Sequence, residues 1–216
     1  MGLHLIIGNK RYSSWSLRAW LMLRFNELPF QEERIALYSE DYKQRLLDAH
    51  ELGQVPILVD EGVSIADSLS IAEYLAEQYP LPHGWPADRK DRAHARSLCA
   101  AMHSGFMALR QECPMNVGRA PAPLELSPAC LNDVHRINQF LTRCLSRTGG
   151  PYLFGDLGLV DAYFAPVLIR LDRYALLAQV SPELRAYTAR MLALPELQDW
   201  VEAGRREIER LERAER

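Results

Sequence analysis

The chain has no cysteine before Cys99. A Cys-x-x-Cys pair, the basis of disulfide exchange, is therefore missing from everything upstream of it. The cysteines that follow (Cys99, Cys113, Cys130 and Cys144) stand too far apart to form one. Cys99 and His103 are spaced for one face of a helix, but a metal needs further ligands and none is near in sequence, so no metal is expected. No apolar run reaches the roughly 20 residues of a membrane-spanning helix. No signal-peptide layout opens the chain either, because strand-like LHLII follows at once, and the expected location is the cytoplasm. There is no block of like charge: 25 Lys and Arg face 28 Asp and Glu for a net charge of −3. That excludes the electrostatic footprint of a nucleic-acid or membrane-surface binder. What remains is the composition of an ordinary soluble globular protein, 216 residues long, 48% hydrophobic and 25% charged.

The first eighty residues alternate strand and helix patterns. LHLIIG is a short strand. SLRAWLMLRFNEL is helical and apolar nearly all round, which predicts burial on several sides, and Pro29 stops it. FQEERIAL is a half-buried strand. SEDYKQRLLDAH is a short polar helix with its cap expected at Ser39. VPILVD and VSIA read as a hairpin closed by Glu61-Gly62, and DSLSIAEYLAEQY as an amphipathic helix. The order β-α-β-α-β-β-α is that of an α/β thioredoxin-like domain, expected over residues 1–80. PLPHGWPADRKD carries three prolines and a glycine and reads as a linker around 81–88. From 89 to 216 strands disappear and an all-α C-terminal domain is expected. It opens with one long helix (RKDRAHARSLCAAMHSGFMALRQE) broken at Pro114, and a later apolar helix carries Pro166, where a kink is expected. The last helix, from LPELQDW, is expected to run to the end of REIERL.

Three stretches bear chemistry. In YSSWSLR, residues 12–18, serines crowd the junction between the first strand and the first helix. Free N–H groups and the positive helix end stabilise an anion at such a junction. With no cysteine there, and no GxSxG motif or nearby histidine for a triad, what remains are the hydroxyls of Tyr12, Ser13, Ser14 and Ser16, either as helix caps or, for one of them, as a donor to a thiolate that a ligand supplies. Val55-Pro56 precedes a strand; it is either a cis bond exposing the Val55 backbone to an extended peptide or an ordinary trans strand start. Asp67-Ser68 opens a helix; it is either a capping pair or, through the same groups, a holder for an α-amino acid head, with Asp67 accepting from an ammonium.

These stretches, in this order, resemble the cytosolic glutathione transferase superfamily over essentially the whole chain. The carriers are SSWSLR, QVPILVD, ADSLSIAEYLAEQY and GDLGLVDAYFAP. The nearest motif is that of the zeta class (maleylacetoacetate isomerase-like), Ser-Ser-Cys-Ser-x-Arg, with Trp15 in the cysteine's place and Arg18 at the arginine. The runs GNKRYSSWSLRAW and MHSGFMALRQECPMN resemble a less characterised bacterial branch of the superfamily. The resemblance implies glutathione as co-substrate. Ser13, with Ser14 as alternative, would activate its thiol, and Ser16 would cap the helix. Val55 and a cis Pro56 would pair with the cysteinyl part, Asp67 and Ser68 would hold the γ-glutamyl end, and Gln54 and Lys43 would reach the glycyl carboxylate. Asp161 would be structural, opposite Gly158 at a helix start. A second-substrate pocket is expected from Tyr12, Trp15, His103, Phe106, Met107 and Arg110, with His103, Met107 and Arg110 on one face of the long helix. Arg110 would favour an anionic acceptor. The implied activity is glutathione conjugation to a small electrophile. Isomerase or peroxidase activity is the alternative, and a non-catalytic regulatory protein on the same fold is the second. A homodimer is implied, with no nucleic acid and no membrane partner.

Overall fold

A computed structural model describes residues 2–215. The first part contains β1 (Leu3–Ile7), α1 (Ser14–Phe25), β2 (Phe30–Arg34), α2 (Tyr42–Ala49), β3 (Ile57–Asp60), β4 (Val63–Ile65) and α3 (Ser68–Gln78). The sheet order is β2-β1-β3-β4. β1 runs parallel to β2, as a helical crossover requires, and antiparallel to β3, which forms a hairpin with β4. The period of two along β1 sorts its side chains between faces. Leu3, Leu5 and Ile7 enter the main core with α1 and α3. Ile6 faces the other way, against Ile57 and Leu46 of α2. This is the expected thioredoxin-like α/β layer arrangement.

The second part is all-helical: α4 (Arg89–Ser104), α5 (Met107–Glu112), α6 (Pro128–Thr148), α7 (Leu159–Arg173), α8 (Pro182–Leu192) and α9 (Pro195–Arg206). α7 is buried along nearly its whole length and packs against α1, α4 and α8. α1 in turn meets α3, α7 and α9, which is why its sequence is apolar on all sides. Pro166 sits inside α7, which runs through it as one helix. Asp161 anchors the start of α7. Its carboxylate accepts from Gly158 N at 2.9 Å, Leu153 N at 3.2 Å and Tyr187 Oη at 2.7 Å, and burial raises its pKa to about 6.

Four local expectations change. The long helix from Arg89 breaks at Gly105-Phe106, where Phe106 takes a left-handed φ of 61°, well before Pro114. The seating of Phe106 in the core, 5% exposed and against Phe140, accompanies this turn. Asp41, not Ser39, precedes α2, and the Ser39 hydroxyl donates to Ala36 O instead. Ser13, not Ser16, is the N-cap of α1, accepting from Ser16 N at 3.2 Å. The last helix ends at Arg206 rather than continuing through REIERL. There the Glu207 carboxylate accepts from the backbone N–H groups of Lys10 and Arg11, and the tail turns back over the first part of the chain.

Candidate active site

A cleft of about 910 Å³ opens at the start of α1. Its walls include Tyr12, Ser13, Ser14 and Trp15 on one side and Lys43, Gln54 and Val55 on another. Arg110, Arg170 and the tail residue Arg213 complete it. Four cationic side chains thus border the cleft, and no carboxylate does among the described residues. The Val55-Pro56 bond is cis and puts Val55 at this edge, just before β3.

The serines divide their work by geometry. Ser13 Oγ is occupied twice over: it accepts from Ser16 N and donates to Ser16 Oγ at 2.7 Å. Ser16, fully buried, also accepts from Gly8 N at 3.0 Å, which ties the helix start to the end of β1. Ser14, the first residue of α1, lines the cleft, and its hydroxyl has no hydrogen-bond partner among the described residues. Its position adds the helix's positive end to the same place.

Trp15 is held between two guanidinium groups, with Arg18 4.4 Å and Arg110 4.8 Å from its ring centroid. Arg18 is fully buried. Its Nε donates to Tyr163 O at 3.0 Å and it lies 4.0 Å over the Tyr163 ring. Burial lowers its pKa to about 10, so it stays charged at neutral pH. Arg110 donates to Gly105 O at 3.0 Å and to Met102 O, and so closes the carbonyl end of α4 while its guanidinium borders the cleft. Arg170, inside the apolar run of α7, donates to Cys113 O at 2.8 Å and Pro166 O at 3.1 Å. Burial takes its pKa down to about 9, and the charges of Arg110 and Arg18 press in the same direction.

The other expected pocket residues are distributed differently, because the helix break rotates them off a common face. Phe106 is in the core and Met107 is 56% exposed; neither lines the cleft. His103 lies outside the lining too, in ion-pair reach of Asp67 and hydrogen-bonded to Tyr163. Asp67 caps α3 through Oδ1, and Ser68 is fully buried; both stand outside the lining. Sequence reasoning missed Arg170 and Arg213. An arginine inside the apolar run AYFAPVLIRL of α7 was the available signal for the first. For Arg213 there was none, since its place depends on the returning tail. Among the described residues no group of three or more His, Cys, Asp or Glu is placed to hold a metal, and no helix is long and apolar enough to cross a membrane.

Comparison with known proteins agrees with this architecture. The glutathione S-transferase N-terminal domain family matches residues 12–78, and the C-terminal domain family matches residues 94–203. The chain belongs to the glutathione S-transferase family. A protein of Vibrio cholerae named as a probable maleylacetoacetate isomerase is 27% identical over 192 residues, which cover 85% of this chain and 88% of that protein. The maleylacetoacetate isomerase of Rattus norvegicus is 25% identical over 190 residues, covering 86% and 87%. A solved glutathione transferase homolog from Burkholderia, with bound glutathione, superimposes with a TM-score of 0.70 at 29% identity. It covers 94% of this chain and 97% of its own.

Proposed function

We propose that the cleft binds glutathione and transfers its thiolate to a small electrophile. One observation carries this reading: an unpaired serine hydroxyl at a helix N-terminus, in a cleft bordered by four cations and no carboxylate among the described residues. Glutathione with an ionised thiol has a net negative charge, and this lining complements it. The Val55 backbone pairs with the cysteinyl part, and Lys43 and Gln54 take the glycyl carboxylate. Beyond that lining, Asp67 and Ser68 at the start of α3 hold the γ-glutamyl end, with Asp67 accepting from its ammonium. Ser14 donates to the sulfur, because the Ser13 hydroxyl already serves as cap and partner of Ser16. A free thiol has a pKa of about 8.5, and lowering it by roughly two units is worth about 2.7 kcal/mol. A charge-assisted hydrogen bond together with the helix end supplies energy of that order. The thiol proton leaves to solvent, the sulfur forms a bond to the electrophilic carbon, and the leaving group departs with its electron pair. Tyr12, Trp15, Arg110 and Arg170 border the space left for the acceptor, and their two guanidinium groups favour one that carries an anion.

Glutathione-dependent isomerisation is the second reading, favoured by the names of the relatives above. The same proposal divides the chain at 81–88, between the end of α3 and the start of α4, and takes the protein as a cytoplasmic homodimer. Isothermal calorimetry with glutathione tests the central claim, with conjugation and isomerisation assays to follow. Saturable binding at micromolar to millimolar concentration is expected. A protein that shows none is not a glutathione transferase.

A further inference from the structure

His103 stands where four elements meet. It belongs to the last turn of α4. Its Nε2 is 3.1 Å from Asp67 Oδ2 at the start of α3, and its Nδ1 is 2.8 Å from Tyr163 Oη on α7. Its ring contacts Trp15 of α1 edge-on, with centroids 5.0 Å apart. Trp15 lines the cleft, so His103 is the step between the cleft wall and Asp67. The chemistry of the partners sets the tautomer. An ionised carboxylate only accepts, so Nε2 carries a proton toward Asp67, and Nδ1 shares a hydrogen bond with the Tyr163 hydroxyl. Asp67 is held at both oxygens: Oδ1 accepts from Leu69 N at 2.7 Å and Ser70 N at 3.3 Å, while Oδ2 meets His103. Its side chain nevertheless remains 41% exposed, which leaves it open to a ligand.

We propose that His103 is a positioning residue for the γ-glutamyl end of glutathione: it fixes the Asp67 carboxylate from the helical part of the chain, so that the α-ammonium meets an oriented acceptor. This deepens the proposed function and rests on it. The helix cap alone leaves Oδ2 without a fixed partner; the bridge from α4 supplies one and couples the ammonium site to Trp15 beside the thiol. The role differs from that of a pocket residue, because His103 would set affinity for glutathione and leave affinity for the electrophile alone.

The test compares wild type with His103→Phe, which keeps a ring against Trp15 and removes both hydrogen bonds, and with His103→Gln, which restores a donor. Losing one ionic hydrogen bond's worth of orientation predicts a glutathione KM about tenfold higher in His103→Phe. The change falls in KM rather than kcat, the electrophile KM stays the same, and Gln recovers part of the loss. Calorimetry with a glutathione analogue lacking the α-amino group (glutaryl-cysteinylglycine) should show wild type and His103→Phe binding alike. The double variant Asp67→Asn/His103→Phe should lose no more affinity than Asp67→Asn alone. Should His103→Phe fail to fold, His103→Gln takes its place, alone and combined with Asp67→Asn, with a smaller rise in the glutathione KM expected. The inference is overturned if the variants bind glutathione as wild type does, if they lose the analogue equally, or if the loss appears in the electrophile KM. A wild-type protein that binds no glutathione overturns the underlying reading as well, which separates the two failures.

Discussion

Replacing Asp161 by alanine removes the acceptor on which three buried donors converge: Gly158 N–H, Leu153 N–H and the Tyr187 hydroxyl. Asp161 is 1% exposed, so the donors it leaves are shielded from bulk solvent. Each orphaned donor costs about 1–3 kcal/mol, a gross loss of about 3–9 kcal/mol. The variant also ceases to bury an anion. Burial raises the Asp161 pKa from 3.8 to about 6 despite these hydrogen bonds, and that shift corresponds to about 3 kcal/mol at neutral pH. The net penalty at neutral pH centres on about 3 kcal/mol, or a fall in Tm of about 6–12 °C for a chain of this size. The pH dependence has a definite sign. A raised folded-state pKa means the folded state holds the proton more tightly than the unfolded one. The corresponding stability is fully present below pH 3.8 and is lost as pH rises through about 6. The Asp161→Ala penalty therefore grows as pH falls from about 6 toward 4. Urea unfolding of both proteins at neutral and mildly acidic pH, followed by circular dichroism, measures it. A penalty below about 1 kcal/mol at neutral pH, or one that shrinks toward acid, would refute the reasoning. Glutathione binding by the folded variant should be unchanged, because Asp161 lies outside the cleft lining.

Three further outcomes are expected. Ser14→Ala should raise the pKa of bound glutathione by about one unit, the helix end remaining, read as loss of thiolate absorbance near neutral pH, while Ser13→Ala should chiefly cost about 1 kcal/mol of stability through the lost cap. The reverse pattern would place activation on Ser13. Arg110→Ala should raise KM about tenfold for acceptors that carry a carboxylate and leave neutral acceptors within twofold. Equal effects on both would remove the anion preference. The four cysteines are buried, and burial pushes Cys113 up to about 12 and Cys144 up to about 11, so the native protein should resist a thiol-specific reagent at neutral pH and react at all four sites after unfolding. Fast labelling of the native protein at any of them would contradict the packing around that thiol.

Local physics was enough for much of this protein. The strand-helix order of the first part, the helical second part, the hairpin at Glu61-Gly62 and the capping by Asp67 follow from period, turn chemistry and short-range hydrogen bonding, which sequence displays directly. The gathering of Ser13, Ser14, Val55, Gln54 and Lys43 at one cleft was legible only through the family resemblance, since the fold brings these separate element boundaries to one edge. The assignment of roles among neighbours was not legible. Which serine caps α1 depends on Gly8 N and Ser16 Oγ, groups whose placement needs β1 docked against the helix. His103, Met107 and Arg110 share a face only on an unbroken helix, and burial of Phe106 against Phe140 goes with a turn there instead. Arg170 reaches the cleft through an apolar helix, and Arg213 reaches it on a tail held by Glu207 to backbone groups near the start of the chain. The sequence alone determined which elements form and which boundaries carry chemistry, because those depend on neighbours along the chain. Only the tertiary structure decided which hydroxyl is free, which cations face the cleft and which histidine meets Asp67, because those depend on atoms brought together across long separations in sequence.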